Sequence, residues 1–292
     1  MNPYVFMTDS DSDLPYSYVD KLDITMVYMP YIVDGKEFYD DLGRNGKQKE
    51  YFDMIRAGAA PVTSLLPTAV YLEYFEPCFK AGKDILFVAF SSQLSSTINN
   101  IYAAREELLQ KYPERKMIVV DTLSISAPQS ILILKAYELF HAGKSMEEVA
   151  EWLESNKARV QAWFTVDDLK YLRRGGRIGA VAATLGTMLD LKPIIVESKS
   201  GNLVNVDKVQ GRKRALRVIA DKAAENIDDP KNAHVTILHA DMPEDAVRLE
   251  ALVRERIPEL ETIETHYIGP VIGAHCGPGT VAVCFFGKER SC

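Results

Sequence analysis

Asp84-Ile85-Leu86-Phe87-Val88-Ala89-Phe90-Ser91-Ser92-Gln93-Leu94-Ser95-Ser96-Thr97 holds the clearest buried-strand signal in the chain. Ile85 to Phe90 are apolar without interruption, the pattern of a strand buried on both faces in a parallel sheet. A hydroxyl-rich turn follows. Ile98, Ile101, Ala104 and Leu108 then recur at helical spacing, which predicts a helix over Thr97 to Lys111 with Glu106, Glu107 and Lys111 left to water. A second apolar run from Lys116 to Val120 completes a strand–helix–strand unit, so the chain is expected to be α/β.

Toward the N-terminus, Tyr4 to Thr8 predicts an opening strand. Ile24 to Pro30 and Tyr31 to Phe38 predict extended segments around an Asp34-Gly35 turn. Toward the C-terminus, a helix over Ser130 to His141 is ended by Gly143, and Ser145 with Glu148 forms a capping box before a helix reaching Asn156. A change of domain is placed at Lys157 to Ala162, giving an N-terminal α/β domain over 1–160 and a C-terminal one over 161–292. The second half predicts a helix around Asp167 to Leu172, a Gly-rich stretch, and a short helix through Leu189. A hairpin of Pro193 to Glu197 with Leu203 to Val209 follows, then a helical face of Leu216, Ile219, Ala220 and Ala223. Val235 to His239, a helix from Glu244 to Arg256, and Thr262 to Ile268 restore a β-α-β order, and Val281 to Phe286 is the last strong strand.

The 292 residues carry 47% hydrophobic and 26% charged side chains and a formal charge of -7. That balance is ordinary for a globular chain and disfavours broad nucleic-acid binding. No apolar run approaches the roughly 18 residues of a membrane span, and the opening residues show no signal peptide. A lipid ligand would have to be held inside the fold, without stable membrane insertion. Cys78, Cys276, Cys284 and Cys292 are irregularly spaced and read as reduced thiols, consistent with a cytoplasmic protein.

Three predicted strands run directly into small polar residues: Thr8-Asp9-Ser10, Ser91-Ser92 and Asp121-Thr122. In open α/β sheets such carboxyl ends converge on a ligand crevice, and Pro61-Val62-Thr63-Ser64 can add hydroxyls to it. The serine-rich turn can cap the helix at Thr97, which is the bland reading, or offer donors to a carboxylate. His275 lies in Gly273-Ala274-His275-Cys276-Gly277-Pro278-Gly279, read as a constrained loop. The other histidines have no comparable setting. Arg173, Arg174 and Arg177 surround Gly175-Gly176, either as helix-end charges or as an anion site; the stretch is neither a dinucleotide fingerprint nor a phosphate loop. Asp9-Ser10-Asp11-Ser12-Asp13 is no calcium loop, because Leu14 stands where glycine is needed and Asp20 replaces the distal glutamate. Asp9 is read instead as a carboxylate ordering donors at the strand end. No metal site and no GxSxG nucleophile is evident.

Taken in order, Asp9 through Pro15, Pro61 through Ser64, Ser91 through Thr97, Asp121-Thr122, Leu169 through Ile178 and Gly273 through Thr280 resemble the DegV family of bacterial fatty-acid-binding proteins. The resemblance implies a two-domain fold, with an N-terminal parallel-sheet domain, a C-terminal mixed-sheet α/β domain and lipid held between or beneath their facing surfaces. It implies that Thr63, Ser92, Ser95 and His275 bind the carboxylate, leaving open which serine lies closest, with Asp9, Ser64 and Arg177 as candidates for supporting the site or its entrance. It further implies a cytoplasmic carrier of a long-chain fatty acid, with no cofactor and no catalytic residues of its own. Such a carrier presents its ligand to a separate fatty-acid kinase feeding phospholipid metabolism. Departures fall at Leu65-Leu66-Pro67, at Ser96, and around Ala127 and Gln129, where the family has Gln-Pro, glycine and a glycine pair. A soluble hydrolase or phosphoryl-transfer enzyme using the serine-rich crevice is the alternative, and a lipid-retaining sensor or scaffold is a third reading.

Overall fold

The computed structural model describes residues 4–22, 24–179 and 191–292. The expected helix through Leu189 lies largely outside them. Strand β1 (Tyr4–Asp9) lies at the centre of a parallel sheet with β2 (Thr25–Val27), β6 (Asp84–Ala89) and β7 (Met117–Asp121), in the order β2-β1-β6-β7. A small antiparallel sheet joins β3 (Pro30–Val33), β4 (Lys36–Tyr39) and β5 (Val62–Thr63) in the order β4-β3-β5. Asp34 and Gly35 both take positive φ, 49° and 75°, as a tight two-residue hairpin turn demands.

The second sheet is six-stranded and mixed. It orders β10 (Leu203–Gln210), β9 (Leu191–Glu197), β8 (Val160–Thr165), β13 (Val281–Phe286), β11 (His234–His239) and β12 (Thr262–Tyr267). The pair β11–β12 is parallel and the other pairings are antiparallel. The parallel sheet thus draws on strands of the N-terminal domain, and the mixed sheet on strands of the C-terminal one.

Alternation along the strands explains the layering. On β6, Leu86 and Val88 join one core while Ile85, Phe87 and Ala89 join another, so the unbroken apolar run serves two faces at once. The outer face packs on α3 (Thr68–Lys80) and α4 (Thr97–Lys111). On β13, Ala282 and Cys284 face the same central core as Leu86 and Val88, whereas Val281, Val283 and Phe285 face α8 (Arg212–Asn226) and α9 (Pro243–Arg256). Helix α5 (Ser126–His141) contributes Leu132, Ile133 and Ala136 to this central core, wedged between the two sheets. It begins four residues before the predicted start at Ser130, because Ser126 to Gln129 are buried by the sheets rather than left as a polar loop. Helix α6 (Met146–Asn156) starts at the predicted capping box, with Ser145 and Glu148 bonding reciprocally.

Packing around α10 brings chain-distant residues to the centre. Helix α2 (Gln48–Arg56) and the strands β3 and β5 receive α10 (Pro270–Cys276), a short C-terminal helix lying against N-terminal elements. Helix α7 (Lys170–Arg174) also packs on α10. Gly273 lets α10 approach α2, because a side chain would run into the Phe52 ring and crowd that of Tyr51. All four cysteines are unpaired.

Candidate ligand-binding site

A cavity of about 240 Å³ lies on the inner face of the mixed sheet, between it and the N-terminus of α5. Ala162, Phe164, Leu238 and Ala282 pave the sheet side, and Ile125 and Pro128 lie across from them. Ile268, just before α10, and Val271 and Ile272 on its first turn close it. These walls offer a chain no hydrogen bond, so they suit an apolar one.

One end of the cavity is polar. Thr63 on β5 and His275 on α10 meet there, with Thr63 Oγ1 2.9 Å from His275 Nε2 although 212 residues separate them. Sequence reading put His275 in a loop. The structure corrects this: Pro270 opens a helix and Gly277, at φ 72°, ends it, so His275 projects from a rigid last turn. Burial, together with the Arg177 and Arg174 charges, pushes the imidazole down to about 4, so it is neutral near pH 7. Its Nδ1 has no hydrogen-bond partner among the described residues and faces Gly175, where a Cβ would overlap it.

Arg177 also lines this end. Its Nε donates to the Leu94 carbonyl at 2.8 Å and one terminal nitrogen donates to the Gly175 carbonyl at 2.6 Å, which ties the Gly-rich stretch to the serine turn. Ser95, Ser96 and Thr97 line the cavity at the start of α4. Ser95 Oγ lies 2.8 Å from Thr97 Oγ1 and accepts the Thr97 N–H at 3.2 Å. The N-terminus of a 15-residue helix therefore opens beside His275 and Arg177, a favourable setting for an anion.

Of the residues nominated from sequence, Thr63, Ser64, Ser95, Arg177 and His275 line the cavity. Ser92 does not. Its N–H donates to Asp121 and its Oγ accepts from Gln93, so the turn aims Ser95 inward and Ser92 away. Asp9 lies beneath rather than in the cavity, accepting the Phe90 N–H at 3.2 Å and the Gln129 amide at 3.1 Å, as a carboxylate ordering the strand end would. Of the departures from the family pattern, Leu65 lines the cavity, while Gln129 is wholly buried against Asp9. The hydroxyl that meets His275 is that of Thr63, and no serine hydroxyl bonds to His275 among the described residues.

Sequence reasoning missed the burial of the acidic run. Asp9, Asp11 and Asp13 lie on or beside a 3-10 turn over Ser10–Ser12, and they and Asp40 are all at most 7% exposed. Asp13 accepts from the Ser126 hydroxyl and from the Gly269 N–H at 3.0 Å. A Cβ on Gly269 would run into the carboxylates of both Asp13 and Asp40, which places those two groups side by side. Burial pushes Asp9 and Asp13 up to about 7, and pushes Asp11 and Asp40 well above the carboxylate range, helped by their like-charged neighbours. Among the described residues no group of His, Cys, Asp or Glu is placed to hold a metal ion. His239 and His266 also have more of a setting than expected, since both line a second recess that reaches Asp13 from the other side.

A family model described as "Uncharacterised protein, DegV family" matches residues 5–288. A DegV domain-containing protein of Clostridium perfringens is 39% identical over 99% of each chain. Among solved structures, the chain resembles a DegV family protein of Thermus thermophilus described as fatty-acid binding, with a TM-score of 0.86, 29% identity, and 98% and 100% of the two chains covered. It also resembles a Thermotoga maritima protein whose structure is described as revealing fatty acid binding function, with a TM-score of 0.83, 26% identity and the same coverage.

Proposed function

The chain belongs to the DegV family, and from that membership and its cavity we propose that it binds a long-chain fatty acid, shields the acyl tail and presents the carboxylate to a separate fatty-acid kinase. The observation that carries the reading is an apolar chamber ending in Thr63, Ser95, Arg177 and His275. A buried chain gains about 0.8 kcal/mol per CH₂ as gross driving force. The hydroxyls supply directional hydrogen bonds, and Arg177 with the α4 N-terminus supplies positive potential that a neutral His275 does not.

Presentation to a kinase is supported by where the polar end lies. Val62 and Leu65 are 51% and 43% exposed and flank Thr63 and Ser64, so a carboxylate held there sits one residue below the surface, within reach of a second protein. In this reading the chain carries no chemistry of its own, requires no cofactor and works in the cytoplasm. No described helix is long and apolar enough to cross a membrane.

Gentle purification, native mass spectrometry and identification of the extracted ligand test the binding. The expected result is one fatty acid per chain; a protein that emerges empty and shows no saturable binding of saturated or unsaturated fatty acids overturns it. Presentation is tested by adding a fatty-acid kinase and ATP: acyl phosphate should form with both proteins and not with this chain alone.

A further inference from the structure

Asp11 lines the cavity, is 4% exposed, and its Oδ1 has no hydrogen-bond partner among the described residues. Such an orphan is costly unless something completes it. The Arg177 charge reaches it, which places it toward the polar end rather than the tail. Asp9 from β1, Asp13 from the end of the 3-10 turn and Asp40 after β4 all repel an ionised Asp11, the Tyr71 hydroxyl from α3 feels the Asp11 charge, and Arg177 is the cation among the described residues that attracts it. An unpaired carboxyl oxygen lining the chamber, with three further acids buried around it, opposes an ionised carboxylate placed directly beside it. Two carboxyl groups brought that close share a proton instead of both ionising.

We propose that Asp11 is a head-group residue whose carboxyl shares one proton with the carboxyl of the bound fatty acid, so that capture of the anion takes a proton from solvent wherever Asp11 is ionised in the empty protein. This rests on the fatty-acid reading above. In balance, one ligand carboxylate, one ionised Asp11 and one proton give a single O–H···O pair carrying one negative charge, which Arg177 offsets. The raised affinity of Asp11 for protons agrees with this arrangement. The consequence is linkage: above the value at which Asp11 ionises in the empty protein, ligand affinity falls about tenfold per pH unit, and below it affinity is flat.

The test uses delipidated protein and dilute myristate, with 1-tetradecanol as the neutral analogue, across the alkaline range over which the chain stays folded. Affinity is read by displacement of a fluorescent fatty acid, and proton uptake by calorimetry in buffers of different ionisation enthalpy. Myristate affinity should fall about tenfold per pH unit at the alkaline end, with uptake rising toward one proton per ligand, whereas tetradecanol shows neither. Asp11→Asn should bind myristate with a flat pH profile and no uptake. Uptake absent at every pH in the parent, or retained in full by Asp11→Asn, overturns the proposal. Should Asp11→Asn not fold, Asp9→Asn and Asp13→Asn decide: uptake surviving in both supports Asp11, and uptake lost in either overturns it. Failure of myristate, palmitate and oleate to bind at any pH would instead overturn the fatty-acid reading itself.

Discussion

Replacing Gly175 with alanine tests the polar end without touching a proposed ligand contact. Gly175 has φ −74°, which alanine adopts without strain, and the added methyl should by itself stabilise the end of α7 by about 0.4–1 kcal/mol through the unfolded chain. Its Cβ, however, would overlap His275 Nδ1 and lie 3.1 Å from Cε1 and 3.2 Å from Cγ. Ordinary contact requires the ring to retreat by about 1 Å, with an overpacking cost of about 1–3 kcal/mol if it cannot. Retreat lengthens the 2.9 Å Thr63–His275 hydrogen bond beyond use and frees the Thr63 hydroxyl from its orientation. Losing one such bond to a charged head group costs about 1.5–3 kcal/mol, or about ten- to a hundredfold in affinity. Displacement of a fluorescent fatty acid measures the affinity, and thermal unfolding checks that the variant remains folded. In a His275→Ala background the same substitution should change little, because the clash has gone. A folded Gly175→Ala protein that binds as tightly as the parent, or one equally weakened with and without His275, refutes the reasoning.

His275→Ala should weaken retention of a fatty-acid carboxylate by about tenfold or more while lowering stability by less, and equal ligand occupancy in variant and parent would remove His275 from the head-group site. Asp40→Asn should stabilise the protein at pH 8 by about 1–3 kcal/mol, because it neutralises a buried carboxylate whose Oδ2 has no partner among the described residues while Oδ1 still accepts from Leu42. The sign follows from the raised ionisation of Asp40: the parent is relieved below the unfolded value near pH 4 and penalised as pH rises through the folded value. The variant's advantage in thermal melts should therefore vanish toward pH 4; an advantage independent of pH would contradict it. Arg290→Ala should cost about 3–5 kcal/mol in denaturant unfolding, since Arg290 is 3% exposed, pairs with Glu197 at 2.7 Å and also donates to the Val160, Leu123 and Ser198 carbonyls. A loss under about 1 kcal/mol would show that the pair contributes little.

The elements were legible where the signal is local. Helix α4 runs over Thr97–Lys111 as its apolar spacing predicts, and the Ser145–Glu148 box opens α6, because spacing and capping chemistry act within a few residues. His275 was misplaced in a loop because glycine and proline crowd it, and it took packing of α10 against α2, β3 and β5 to hold those residues helical. The start of α5 was missed for a related reason: Ser126 and Gln129 look like turn residues until two sheets bury them.

Local patterns in the chain encode the alternation of strands and helices, the two-faced burial of β6 and, through family motifs, the candidate hydroxyls and histidine. Only the tertiary structure decided that Thr63 and His275 touch, that Ser95 turns inward while Ser92 turns away, and that Asp9, Asp11, Asp13 and Asp40 are sealed together. Periodicity encodes which face of an element is apolar, and that is a property of neighbouring residues. Whether a carboxylate meets water or another carboxylate depends on segments far away in the chain, and no local pattern of letters distinguishes the two.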